Sequence, residues 1–166
     1  VSGTAQYDDA GGLKGQLALT NASMKLPDND PLRTAEARLE LRDGAVHLAP
    51  ATITVGESQT AQLEGSVALA FPHALNLRVS SAALNVNAMK SFGLPPIPIL
   101  GESPQGSWKG WVRYQDEHWT AAAELRAGKL TLDGLAEPIE VRSAAVSLTG
   151  SSMSISKIAG RIAETP

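Results

Sequence analysis

The sequence predicts a mainly β protein: a long antiparallel meander curled into an elongated groove or an open sandwich, with at most one short helix near residues 88–92. Three observations carry this. Apolar residues alternate with polar ones, as in Leu39, Leu41, Val46 and Leu48, and again in Leu63, Val67, Leu69, Leu75, Leu77 and Val79. A two-residue period is the mark of strands with one dry and one wet face. Glycine and short polar clusters punctuate the runs at hairpin spacing. Finally, the turns and the alternation agree with each other, so that pairing across a turn brings apolar residues together.

The clearest hairpin joins Ala35–Arg42 to Ala45–Ala49 through Asp43-Gly44. Asp-Gly suits a two-residue connection because both central positions need positive φ. It sets Leu41 opposite Val46, Leu39 opposite Leu48, and Glu40 opposite His47 on the other face. The next registers expected are Val55 with Ala61, Ile53 with Leu63 and Ala51 with Gly65. Leu69 is then expected opposite Leu75 across Phe71-Pro72-His73, Val67 opposite Leu77, and Gly65 opposite Val79. Ala88–Phe92 reads as a short helical turn, with Asn87 as N-cap and Gly93 as stop. Three prolines within residues 95–98 forbid regular sheet and mark 94–105 as a linker or lid. Beyond it, Tyr114 is expected to face Trp119, Val112 Ala121, Gly110 Ala123 and Trp108 Leu125. The whole is a meander of a dozen or more short strands.

The two halves read as a repeat. Leu19, Met24 and Leu26 correspond to Leu125, Leu130 and Leu132 at one offset. One inserted residue later, Pro31, Leu32, Ala37, Leu39, Leu41, Val46 and Leu48 correspond to Pro138, Ile139, Ala144, Val146, Leu148, Met153 and Ile155. The expected organisation is a first β-groove repeat at 1–93, the Pro-rich linker or lid at 94–105, and a second, partial repeat at 106–166.

Composition narrows the function classes. A net charge of -3 over 166 residues, with no basic stripe, argues against nucleic acid. No apolar stretch approaches the roughly 18–20 residues that span a bilayer. With no cysteine there are no disulfides and no thiol chemistry. The chain opens on Val1, which fits an excised or processed piece of a longer protein. His47, His73 and His118 are dispersed, in no metal-binding spacing, and Asp8-Asp9 and Asp116-Glu117 read as turn residues. No nucleophile elbow, P-loop or dinucleotide motif occurs. No catalytic residue, metal ligand or cofactor is therefore expected, and the chain does not read as an enzyme. Trp108, Trp111, Tyr114 and Trp119 gather in one hairpin, as cross-strand packing or as a stacking platform.

The inward residues are mostly Ala, Gly, Leu and Val, with Gly15, Gly65 and Gly110 at inward positions. Two accounts of this face stand open. In one, the sheet doubles over into a closed sandwich, a structural or protein-binding module. In the other, it stays an open trough for an apolar ligand. The candidate binding residues, the inward aliphatics that would line such a trough, are Leu17, Leu19, Leu39, Leu41, Val46, Leu48, Ile53, Leu63, Val67, Leu77 and Val79.

The runs Gly15–Asn21, Leu26-Pro27, Pro31-Leu32, Ala37–Leu48, Val55–Ser58, Leu63–Val67, Leu75–Leu77 and Leu84–Ala88 resemble the C-terminal region of AsmA-like proteins, of the wider AsmA/TamB group of Gram-negative envelope proteins. The resemblance covers residues 13–90 well and the second half loosely. It departs in lacking the N-terminal membrane helix, and in Asp28-Asn29-Asp30 where a shorter turn is usual. What it implies is a repeating β-groove in the periplasm, anchored to the inner membrane through a segment absent here. Such a groove shields the acyl chains of phospholipids in transport between membranes. The implied partners are phospholipid or another apolar ligand and neighbouring repeats of the full-length protein.

Overall fold

The computed structural model describes residues 1–8, 12–25, 27, 29–92, 105–130 and 139–162. Ten strands form one sheet: β1 Ser2–Asp8, β2 Gly12–Met24, β3 Leu32–Arg42, β4 Ala45–Val55, β5 Gln59–Ala68, β6 Leu75–Asn85, β7 Ser107–Gln115, β8 His118–Leu130, β9 Ile139–Thr149 and β10 Ser152–Ile162. They lie in chain order, each antiparallel to the next, and β10 does not close on β1. The mainly β, curled-meander reading is right. In place of the dozen or more short strands expected, the described residues form ten, of 7 to 13 residues.

The strands are long because bulges carry them past breaks in the alternation. In β4, Leu48 and Ala51 both face inward, with the Ala49-Pro50 bulge between them. β2 turns over at Asn21, which holds a left-handed φ of 50°. Leu32 and Leu39 in β3 thus share a face despite their odd spacing. A bulge bends and twists its strand, so the irregularities in the β4–β5, β6–β7 and β9–β10 pairs help to curl the sheet.

Two hairpins follow the expected register: Leu39↔Leu48 with Leu41↔Val46, and Tyr114↔Trp119 with Trp108↔Leu125. Two others are shifted by two residues. Ile53 pairs with Ala61 rather than Leu63, because Gly56–Ser58 alone makes the turn. Val67 pairs with Leu75 rather than Leu77, because the connection runs from Leu69 to Ala74. Leu69 there donates its N–H to the Gly44 carbonyl at 2.8 Å, not to a partner in β6. The helical turn is a 3-10 segment, Val86–Phe92, two residues longer at its start than expected. Its cap is Asn85, whose Oδ1 accepts from the Asn87 N–H at 2.9 Å, rather than Asn87. The expected stop at Gly93 and the linker or lid lie outside the described residues, save Gln105.

The repeat is visible in the strands. β2 (Gly12–Met24) and β8 (His118–Leu130) correspond residue for residue at an offset of 106, and β3 and β4 correspond to β9 and β10 at an offset of 107. The β2–β3 register Leu19↔Ala37 reappears as Leu125↔Ala144, and the β3–β4 register Leu39↔Leu48 as Val146↔Ile155. Even the left-handed φ at Asn21 recurs, as 49° at Ala127.

Candidate functional site: a half-open apolar face

All eleven candidate residues lie on one face. The cross-strand rows Leu17↔Leu39↔Leu48, Leu41↔Val46↔Val67 and Leu63↔Val79 run through them. Leu77 sits opposite Gly65, Leu19 opposite Ala37, and Ile53 opposite Ala61. Their surroundings divide them. At the strand ends nearest the 3-10 segment the face is a closed core, with Ile53 6%, Val55 2%, Val79 1% and Leu84 0% exposed. Trp108, Val112, Leu125, Val141 and Ala144 complete it from β7 to β9, and Val86 and Ala88 join from the 3-10 segment, with Met89 and Phe92 packed alongside.

At the other strand ends nothing among the described residues covers the same face. Leu39, Leu41, Val46, Leu48, Leu63 and Leu77 are half-buried. Leu17, Val67 and Leu75 are 38–39% exposed. Tyr114 and Trp119 pack ring to ring there, with centroids 4.9 Å apart. Phe71 stands at a hairpin tip beyond the sheet, 90% exposed. Among the described residues the face is therefore closed at one end of the strands and open at the other.

Within the open half, Gly3, Ala5, Gly15, Leu17, Leu39, Leu41 and Val46, with Thr4 and Gln16, line a cavity of about 310 Å³. That lies at the lower end of the roughly 300–1,000 Å³ of small-ligand sites. Its floor depends on glycine. A Cβ at Gly15 would sit 2.5 Å from the Thr4 carbonyl oxygen and 2.9 Å from the Ala5 Cα. No other residue lets β1 and β2 approach so closely, and the floor is left as bare backbone.

The outward face is charged. Glu64 accepts from Arg78 at 3.2 Å, Arg42 meets Glu40 at 3.5 Å, and Arg126 donates to Glu124 at 2.8 Å. The Arg126 hydrogen bond lowers the Glu124 pKa, desolvation opposes it, and the charges of Arg126 and Lys109 add smaller lowering effects. Trp111 lies on this outer side, under the Arg78 guanidinium at 5.4 Å. The aromatic hairpin is thus split between faces and is no single platform. A broad polar hollow on the outer face is lined by Glu40, Arg42, His47, Glu64, Arg78 and Arg113. These are cross-strand neighbours that mostly neutralise one another, and such surface pairs contribute about 0–1 kcal/mol each.

Among the described residues no group of three or more His, Asp or Glu side chains could hold a metal ion, and no helix is long and apolar enough to cross a membrane. His73 and His118 lie exposed at hairpin ends, while His47 is half-buried on the outer face with its Nε2 unpartnered. Sequence reasoning missed the division of the apolar face. The signal was present as the Val86–Phe92 segment, whose Val86, Ala88 and Phe92 could only be buried against that face. No family model, no curated protein and no solved structure matches the chain.

Proposed function

We propose that this chain is a non-enzymatic β-groove segment of an AsmA-like envelope protein, which shields the acyl chains of phospholipids as they move between membranes during outer-membrane biogenesis. The reading places it in the periplasm, with the full-length protein anchored to the inner membrane and flanked by neighbouring repeats. The observation that carries it is the uncovered half of the apolar face, where Leu17, Leu39, Leu41, Val46 and Val67 meet solvent in cross-strand rows. Soluble proteins rarely leave contiguous apolar area of this kind unless something binds it. An acyl chain fits the chemistry. Each methylene removed from water contributes about 0.8 kcal/mol with no demand for polar specificity. A lining of aliphatic side chains and bare glycine backbone therefore holds a chain without fixing its register.

The test is lipid extraction from purified protein followed by mass spectrometry, together with titration by an apolar fluorescent dye. The expected result is co-purified phospholipid and a saturable rise in dye fluorescence that added phospholipid suppresses. Protein that carries no lipid and leaves the dye dark contradicts the reading. The second reading, a structural or protein-binding module of the envelope, is favoured by the closed half of the face, which packs as an ordinary core from β3 to β9. It predicts the dark outcome.

A further inference from the structure

We infer that the outer edge of β10 is a strand-acceptor site, and that its occupant is an antiparallel strand of β5 type from a further unit of the same repeat. β4 and β10 match position for position at an offset of 107. β4 reads Ala45–Val55 and β10 reads Ser152–Ile162, each paired on its inner side in the same register, and each bulged after its second inward aliphatic. β4 also carries β5 on its outer side. Among the described residues, β10 carries no strand there.

The exposure of equivalent side chains records the difference. Ala51, under β5, is 4% exposed, whereas its counterpart Ile158 is 50% exposed. Val46 is half-buried, and its counterpart Met153 is 37% exposed. β10 thus presents an unpaired backbone edge flanked by large apolar side chains, the state that folded proteins avoid or cover. An added strand supplies both main-chain hydrogen bonds and apolar cover.

The repeat also sets the chemistry of that strand. On β4 the partner presents Ala61, Leu63, Gly65 and Val67 inward, with Gln62, Glu64 and Ser66 outward. The glycine is demanded by close packing, since a Cβ at Gly65 would run into the Asn76 carbonyl oxygen of the following strand. The site therefore selects a short alternating strand with a central inward glycine, followed by a β6-type return strand. A second copy of this chain offers a poorer match. Its free edge is β1, the counterpart of β7, and β7 receives β6 rather than β4. Joining β10 to a neighbour's β1 would omit the β5–β6 hairpin. This inference rests on the repeat and not on lipid binding.

The experiment extends the full chain after Pro166 with a second copy of residues 59–92 and follows hydrogen exchange with thermal melting. The four residues 163–166 then serve as a connector close in length to Gly56–Ser58. The expected result is slowed exchange of the β10 amides to the level of β4, and a Tm several degrees higher. An extension in which the copied Leu63, Gly65 and Val67 are replaced by Asp should give neither. Fast-exchanging β10 amides in a folded, extended chain overturn the inference. So does protection of β10 in the unextended chain that grows with concentration as dimers form, which would make a second copy the occupant. Dye binding by the same extended chain reports separately on the lipid reading.

Discussion

The two halves of each strand carry the same chemistry on the same face and meet different fates. In β4, Val46 and Leu48 are half-buried, while Ile53 and Val55, one bulge further on, are 6% and 2% exposed. In β6, Leu75 is 38% exposed and Leu84 is fully buried. Aliphatic alternation builds both halves. The difference lies in what stands opposite: Val86, Ala88, Met89 and Phe92 join the core at one end of the strands and not at the other. One end of the face is a packed core and the other is open among the described residues, so under the proposed function stability and binding should separate along the length of a strand.

The largest expected effect is in the anchoring half. Leu84→Ala and Ile53→Ala should each cost ~2–5 kcal/mol in urea denaturation, because each leaves a cavity in a packed core. If both cost as little as open-face substitutions, the two halves do not differ. Gly110→Val comes next, at about 1–3 kcal/mol in the same assay. Its φ of 150° and the Ala122 carbonyl oxygen beneath it leave no room for a Cβ. Leu39→Ala and Leu41→Ala in the open half should cost about 1 kcal/mol or less, since they remove area that is already partly wet. They should nevertheless reduce dye uptake clearly, and a full core-sized loss of stability there would show that half to be closed in solution. The smallest effect is on the outer face. Glu124 has a folded pKa below its unfolded one, so its pairing contributes stability above the unfolded pKa that is lost as pH falls through the folded pKa. Glu124→Gln should remove that slight acid dependence. Salt should weaken it in the parent protein, because the pair is exposed.

Much of the architecture was legible in the residues. Asp43-Gly44 dictated its turn, and with it the pairing of Leu39 and Leu41 across the hairpin. The repeat was legible because Leu and Pro recur through three strands at an offset of 106 that becomes 107 after the first, and those strands match end for end. The shifted registers of β4–β5 and β5–β6 were not legible for a definite reason. Alternation has a period of two, so a slip of two residues keeps every side chain on its proper face. Loop geometry decides between such registers, and the Leu69–Ala74 connection carries no dipeptide that names its turn. The left-handed residues Asn21 and Ala127 were hidden in the same way, since neither is the glycine that usually marks a positive φ. For the site, sequence identified the shared face and its members. Which half is covered depends on where the 3-10 segment folds back, a tertiary contact between distant parts of the chain.

The three tryptophans sample the relevant environments: Trp119 in the open half, Trp108 in the closed core, and Trp111 on the outer face. The most direct measurement is therefore quenching of tryptophan fluorescence by a phospholipid brominated in its acyl chains, in the parent protein and in Trp119→Phe and Trp111→Phe variants. The account predicts saturable quenching in the parent and in Trp111→Phe, and its loss in Trp119→Phe. Quenching that persists without Trp119, or that disappears with Trp111, would place the acyl chain elsewhere and contradict an open, lipid-holding half of the groove.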